Sequence, residues 1–330
     1  MKKILLAAAL LTTYAVNAQS KYHVAKTFAI ASDGKWDYIA LNPVTQQLYV
    51  SHGTQVNVLD KSSGDSTGVI LNTTGVHGVA FAEKFNKGYT SNGKINTTTV
   101  FDIKTNKVLG EIKTGTNPDA IMYDPFSEKI ITCNGGSSDL SVIDPATDKV
   151  VATIALGGRP ETAVTDGKGN IYVNLEDKSQ VVAVNAKTFQ AGEHFSLGKG
   201  EAPTGLAIDV ATNRLFAGCD NKLLVVLNAA NGKIVTTLPI GDGCDGVAFD
   251  AGEKTIFASN GEGTLSVIRE ESADKYTNIA TVPTRKGAKT LVVDPLTHHV
   301  YLPVADRLPA VGTAKPQIAT GTFKVLQVSK

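Results

Sequence analysis

Short apolar runs, separated by clusters of Gly, Pro, Asn and Asp, recur along the whole chain. Between Asn117 and Gly157 there are four, AIMY, KIITC, LSVI and KVVATIAL, divided by three turn clusters. Asp124-Pro125-Phe126-Ser127 and Asp144-Pro145-Ala146-Thr147 place Pro at the second turn position, where its fixed φ suits a type I turn. Runs this short, rich in Ile and Val, read as strands rather than helices. Connections of a few residues make each strand antiparallel to the last. The unit is therefore a four-stranded meander of about 42 residues.

The chain repeats this unit. First strands begin near Asp37, His77, Asp119, Glu161, Thr204, Asp245 and Lys289, at successive spacings of 40, 42, 42, 43, 41 and 44 residues. Each start leads into an apolar strand: YIAL, GVAF, AIMY, TAVT, GLAI, GVAF and TLVV. Second strands align as LYVSHG, GYTSNG, IITCNG, IYVNLE, LFAGCD, IFASNG and VYLPVA. A period near 42 with four strands per repeat predicts an all-β fold, a seven-bladed β-propeller with four antiparallel strands per blade. The last unit has three strands of its own, TLVV, HVYLPV and GTFKVLQV. The segment KYHVAKTFAI has the length and alternation of its missing outer strand. That pairing closes the ring and removes its open edges.

The repeats resemble the bacterial YVTN (YncE-like) propeller family, named for a Tyr-Val-Thr-Asn run ending the second strand. The matching runs are Tyr49-Val50-Ser51-His52, Tyr89-Thr90-Ser91-Asn92 and Tyr172-Val173-Asn174, with Asn117-Pro118-Asp119-Ala120, Cys219-Asp220-Asn221-Lys222, Ser259-Asn260-Gly261-Glu262-Gly263 and the closing Gly321-Thr322-Phe323-Lys324-Val325-Leu326. The resemblance spans residues 19–330 and implies the propeller fold. It implies no single activity, because the family has none in common and a fold alone does not supply one.

Composition adds the compartment. Lys2 and Lys3 precede the apolar run ILLAAALL, and Val16-Asn17-Ala18 follows as a small-residue cleavage pattern. Residues 1–18 read as a signal peptide cleaved after Ala18, which gives a periplasmic or secreted protein. No Cys follows that point to carry a lipid anchor, and no later apolar run is long enough to span a bilayer. The whole chain carries 32 Lys+Arg against 31 Asp+Glu, and the leader holds two of the Lys, so the mature chain is nearly neutral. That balance argues against a duplex nucleic-acid partner. Three cysteines, Cys133, Cys219 and Cys244, are too few for a disulfide scaffold. Length alone would suggest two domains, but the repeat runs end to end without a linker, so residues 19–330 form one domain, expected to be a monomer.

Antiparallel order places candidate chemistry on one face. First-strand starts and second-strand ends share it, and the Asp-Pro turns lie opposite. Asp37, His77, Asp119, Glu161, Thr204, Asp245 and Lys289 should ring the channel mouth, with His52, Asn92, Asn134, Glu176, Asp220 and Asn260 just outside. Crowded carboxylates repel unless a cation neutralises them. Such a ring either holds one divalent ion or a cationic ligand, or is a hydrated funnel with Lys289 as its internal counter-ion. Trp36, the only Trp, either stacks on a ligand or packs between blades. His52 and His77, joined by Asp37 or Asp119, would suit Zn or Cu; the alternative is that both are structural. The segment 303–320, stiffened by Pro303, Pro309 and Pro316, reads as a lid over the mouth or a flap without a role.

Other features carry less. Cys219 and Cys244 either bridge or remain packed thiols, and Cys133 reads as core. His298-His299 follows a turn on the opposite face, and His23 and His194 lie on outer strands. Gly241-Asp242-Gly243-Cys244-Asp245-Gly246 fits G-x-G-x-x-G by letter but leads into a strand, so no helix N-terminus backs a phosphate. C-x-x-C-H, G-x-S-x-G and H-E-x-x-H do not occur. Three functions follow: a binding propeller for a metal ion, small molecule or exported protein segment; a metal-dependent hydrolase or lyase, lactonase-like, with His77 or Glu161 as general base; or a scaffold for another exported protein.

Overall fold

A computed structural model describes residues 21–309 and 316–330. The proposed signal peptide lies outside the described residues. Seven four-stranded antiparallel sheets follow one another around a ring. The innermost strands of the first six are Trp36–Leu41, Val76–Ala82, Pro118–Asp124, Pro160–Thr165, Pro203–Asp209 and Cys244–Asp250, and the seventh keeps only Val292–Val293. The seventh sheet is completed by the N-terminal strand His23–Ala29. It pairs with Lys324–Ser329 from His23 opposite Ser329 to Ala29 opposite Lys324. Closure is thus a hydrogen-bonded ladder between the two ends of the chain.

Turn chemistry explains why the strands end where they do. Asp124 accepts the Ser127 amide at 2.9 Å, Asp209 the Ala211 amide at 2.9 Å and Asp294 the Leu296 amide at 3.0 Å. Each side chain thereby supplies the acceptor that a tight turn needs. The residue ending many of these turns is left-handed, as at Glu128, Asp148, Asn213 and His298.

Apolar clusters lie between neighbouring blades, and the largest is at the closure. There Phe28, Ile30, Trp36, Leu48, Tyr301, Phe323 and Leu326 are all buried together. A Tyr early in the second strand has a physical role in this packing in three of the blades. Tyr49, Tyr89 and Tyr301 are buried, yet their hydroxyls reach the turns of the next blade: Asn106 Oδ1 at 3.2 Å, Asp148 Oδ1 at 2.8 Å and the Lys61 carbonyl at 3.1 Å. A buried phenol of this kind adds apolar area and satisfies its own polar end. Cys133, Cys219 and Cys244 are buried free thiols, so Cys219 and Cys244 are not bridged. His298 bonds Asp250 Oδ2 of the sixth blade at 2.8 Å, and His299 meets Gln327 of the adjacent strand.

Candidate functional site

A bulge opens each inner strand in six of the blades. Trp36 pairs with His52 and the ladder resumes only at Ile39 opposite Val50, and the same slip follows Val76, Pro118, Pro160, Pro203 and Cys244. A bulge re-aims the inserted residue and leaves ladder groups unpaired. Here the inserted residues are Asp37, His77, Asp119, Glu161, Thr204 and Asp245. Hydroxyls from the preceding blade satisfy several of the freed carbonyls: Thr290 bonds the Asp37 carbonyl at 2.6 Å, Thr162 that of Thr204 at 2.6 Å, and Ser91 that of Asp119. The backbone beneath the site is thereby fixed from blade to blade.

The side chains form an arc of alternating charge. Lys289 Nζ contacts Asp245 Oδ2 and lies 3.4 Å from Asp37 Oδ1. Asp37 Oδ2 accepts from His77 Nδ1 at 2.6 Å, and that nitrogen lies 3.4 Å from Asp119 Oδ1. The single proton on Nδ1 is committed to Asp37, so Asp119 Oδ1 receives charge but no hydrogen bond and is buried without a donor. Glu161 has no ion pair or hydrogen bond among the described residues. The arc therefore runs Asp245, Lys289, Asp37, His77, Asp119 and breaks at Glu161.

Protonation follows from this order. Burial opposes ionisation of Asp37, but the His77 hydrogen bond and the Lys289 charge outweigh it and hold that carboxyl below its usual range. Burial, then the Asp37 charge, pushes Asp119 up to about 7. Burial, then Asp119, Asp245 and Asp37, pushes Glu161 up to about 8. Burial favours neutral His77, yet its carboxylate neighbours raise it overall. Lys289 is also raised, its acids overcoming burial.

Beneath the ring, Tyr38 crosses the axis. It leaves the first blade, packs against the apolar cluster of the third and fourth, and brings its hydroxyl to 3.4 Å from Thr162 Oγ1. Burial and the ring acids keep its phenol protonated, far above the usual range. The mouth is thus a cup with a phenol floor. The sequence carried a signal for this residue that periodicity does not weigh. The equivalent positions are Gly78, Ala120, Thr162, Gly205, Gly246 and Thr290, all small. At the glycines the neighbouring side leaves no room, since a Cβ on Gly205 would come within 2.6 Å of the next blade's backbone.

Three other candidates make structural contacts instead. His52 is the cross-strand partner of Trp36, so both point to the same sheet face, one residue out of step with Asp37. His52 is buried, stacks on Phe323 at 3.7 Å and bonds Ser32 Oγ and the Gly34 carbonyl at 2.5 and 3.0 Å. It does not join His77, and the Zn or Cu set that included it is not built. Trp36 packs against the same Phe323 at 5.8 Å rather than facing a ligand. Thr204 turns its hydroxyl onto the Cys244 carbonyl as another blade-to-blade tie. The outer ring is likewise structural at Asn92, Asn134 and Asn260, whose amides bond the third strand of their own blades.

Among the described residues, Asp37, His77 and Asp119 are the group whose ligand atoms all lie within 4.8 Å of one another. That spacing fits a mixed nitrogen and oxygen donor set for a divalent ion, and the donorless Asp119 oxygen is the atom a cation would satisfy. Gly93 makes room for this arrangement: a Cβ there would lie 2.7 Å from both His77 Nε2 and Asn117 Oδ1. The Gly93→Ala variant is expected to push His77 off Asp37. Its imidazole pKa, followed by NMR, should fall toward 6.5; a still-raised value would show that the ring tolerates the methyl.

The segment after Val304 forms a short ladder on this face. Arg307 bridges to Ile318, Leu308 bonds the Gln317 carbonyl at 2.8 Å, and the Arg307 guanidinium lies 6.0 Å from the Trp36 ring centre. The stems of the expected lid thus stand beside the seventh and first blades, while residues 310–315 lie outside the described residues.

No family model matches the chain, and no curated protein matches it. Among solved structures, hydrazine synthase of Kuenenia stuttgartiensis is similar with a TM-score of 0.74 at 16% identity, over 90% of this chain and 97% of that one. At that identity the likeness is one of fold. The chain is a seven-bladed β-propeller with an acidic cup at one end of its axis. No helix among the described residues is long and apolar enough to cross a membrane.

Proposed function

We propose that the protein is an exported binding propeller whose cup takes a divalent metal ion between Asp37, His77 and Asp119, with Glu161 and Asp245 facing the open side. The observation that carries this reading is the convergence of three ligand atoms from three successive blades, one of them a buried carboxylate oxygen without a donor. Export rests on the leader sequence, and kinship with the YVTN propellers on the runs at Tyr49, Tyr89 and Tyr172.

Metal and protons compete for the same atoms, since ligands must be deprotonated to bind. With His77 raised and Asp119 near 7, affinity should climb between pH 6 and pH 8, about tenfold per pH unit for each proton displaced. Titration calorimetry with Zn2+ and Mn2+, alongside elemental analysis of the purified protein, measures this. Stoichiometric binding that Asp119→Asn weakens supports the reading. No binding at any pH, with a stable exported partner recovered instead, favours a scaffold.

A second reading is favoured by Glu161, whose unpaired carboxyl near 8 is placed for proton transfer at neutral pH. A bound ion would polarise a carbonyl, making the cup a metal-dependent hydrolase or lyase of the lactonase type. Turnover of lactones that Glu161→Gln abolishes, with metal content intact, would select it.

A further inference from the structure

On the face opposite the cup, the same structural slot is filled in two different ways. At the closure, the residue after the third strand of the first blade is Lys61. It reaches Asp294 Oδ2 of the seventh blade at 2.5 Å, with side chains only 10% and 0% exposed. Asp294 also accepts the Leu296 amide and the Thr297 hydroxyl of its own turn. Register places Glu270 of the sixth blade where Lys61 stands, since Gln47 opposite Asp60 corresponds to Thr255 opposite Arg269. Its neighbour in the fifth blade is Asp209, which accepts the Ala211 amide and the Thr212 hydroxyl just as Asp294 does. An acid therefore meets an acid where a cation meets an acid at the closure. In the second to fifth blades the residues after the third strand are Ile103, Pro145, Ala186 and Ala229, which bring no charge, and in the seventh the slot holds Lys330, which pairs with Glu253 nearer the surface.

Hydrogen bonding does not resolve the pair. Glu270 is 2% exposed and Asp209 6%, and Glu270 Oε2 is buried without a partner. Glu270 Oε1 lies 3.0 Å from Thr212 Oγ1, but that hydroxyl's one proton is closer to Asp209 Oδ2 at 2.5 Å. Tyr276 is 3.3 Å from the same Glu270 oxygen, and its proton goes to the Ala273 carbonyl at 2.8 Å. The nearby cation, Arg214, is committed to the Thr212 and Ala273 carbonyls and to Asp274. A buried acid pair with too few donors is costly as it stands.

We propose that Asp209 and Glu270, with Thr212 and Tyr276, form a second cation site between the fifth and sixth blades, where a bound hard cation such as Ca2+ does what the Lys61 ammonium does at the closure. The donors are all oxygen, the set that hard cations take. Its role is to tie two blades together, away from the cup.

Thermal unfolding at pH 7.5, with and without millimolar Ca2+, tests this on the mature protein and on three variants. Ca2+ should raise Tm by roughly 2–4 °C in the wild type and in Asp119→Asn. Glu270→Lys should lose the response while keeping a metal-free Tm at or above wild type, because it rebuilds the Lys61–Asp294 arrangement. Glu270→Gln, isosteric with the protonated acid, should also lose it and guards against a Lys variant that fails to fold. A response kept in both Glu270 variants and lost in Asp119→Asn would place the ion in the cup and overturn the proposal. So would a Tm indifferent to Ca2+, Mg2+ and Na+ that falls with rising pH in the wild type alone, since the two acids would then share a proton.

Discussion

Asp294→Asn should unfold the ring at its weakest place. The substitution keeps the turn acceptor but removes the charge facing Lys61, leaving a buried ammonium between the first and seventh blades without a counter-ion. Breaking one partner of a buried pair costs about 3–5 kcal/mol, a large share of the stability of an ordinary domain. The loss should appear as a lower urea midpoint, and it concerns closure in particular because the two ends of the ring are joined by a ladder, apolar packing and side-chain bonds. The paired variant Lys61→Met with Asp294→Asn should recover most of the loss, since other blades place apolar side chains in that slot. A double variant as unstable as the single one would assign the effect to the turn instead. The pH dependence has a definite sign. Burial opposes the charge on Asp294, but Lys61 and the turn donors depress its pKa overall. Its contribution is complete above the unfolded carboxyl value and disappears as pH falls through the depressed folded one.

Glu161→Gln should act in the opposite direction. The folded carboxyl titrates at about 8 against an ordinary 4.5. The folded state therefore binds the proton more tightly, and wild-type stability declines as pH rises from 4.5 to 8, then stays low. Gln cannot ionise, so the variant should be more stable than wild type at pH 8.5, by up to about 5 kcal/mol and less as far as water screens the cup. The two proteins should converge below pH 4.5. Equilibrium unfolding at pH 4.5, 6.5 and 8.5 gives the comparison. A divalent ion in the cup replaces the proton as the neutralising charge, so saturating metal should shrink the difference at pH 8.5. An advantage for Gln that is the same at every pH would show that Glu161 is not an uncompensated acid.

Glu161 stands at a position visible in the repeat, whereas the Lys61–Asp294 pair does not. Asp37, His77, Asp119, Glu161, Asp245 and Lys289 could be aligned because strand length, turn residues and a period near 42 recur along the chain. The missing strand of the last blade was equally legible, since apolar alternation at residues 21–30 has no partner nearer in sequence. His52 was misplaced for a reason of register. Counting residues puts it at the end of a strand on the right face, but only the pairing with Trp36 shows that its side chain turns to the blade behind. Trp36 packs between blades, one of the two roles its place at the mouth allowed, and Thr204 occupies the bulge position but turns its hydroxyl to the Cys244 carbonyl. Tyr38 was within reach as the one large residue in a column of small ones.

The sequence by itself determined the wheel: strand type, blade number, the way the ends meet and the face that gathers the acids. All of these follow from local pattern and repetition. The tertiary structure decided which of those acids are already paired and which are left open. Pairing depends on ångström-scale aim at each bulge and on what the neighbouring blade supplies, and neither is written in the spacing of residues along one strand. Glu161 and Glu270 look like ordinary acids in the chain; the fold leaves the first half-buried and the second buried, each without an ion-pair partner among the described residues.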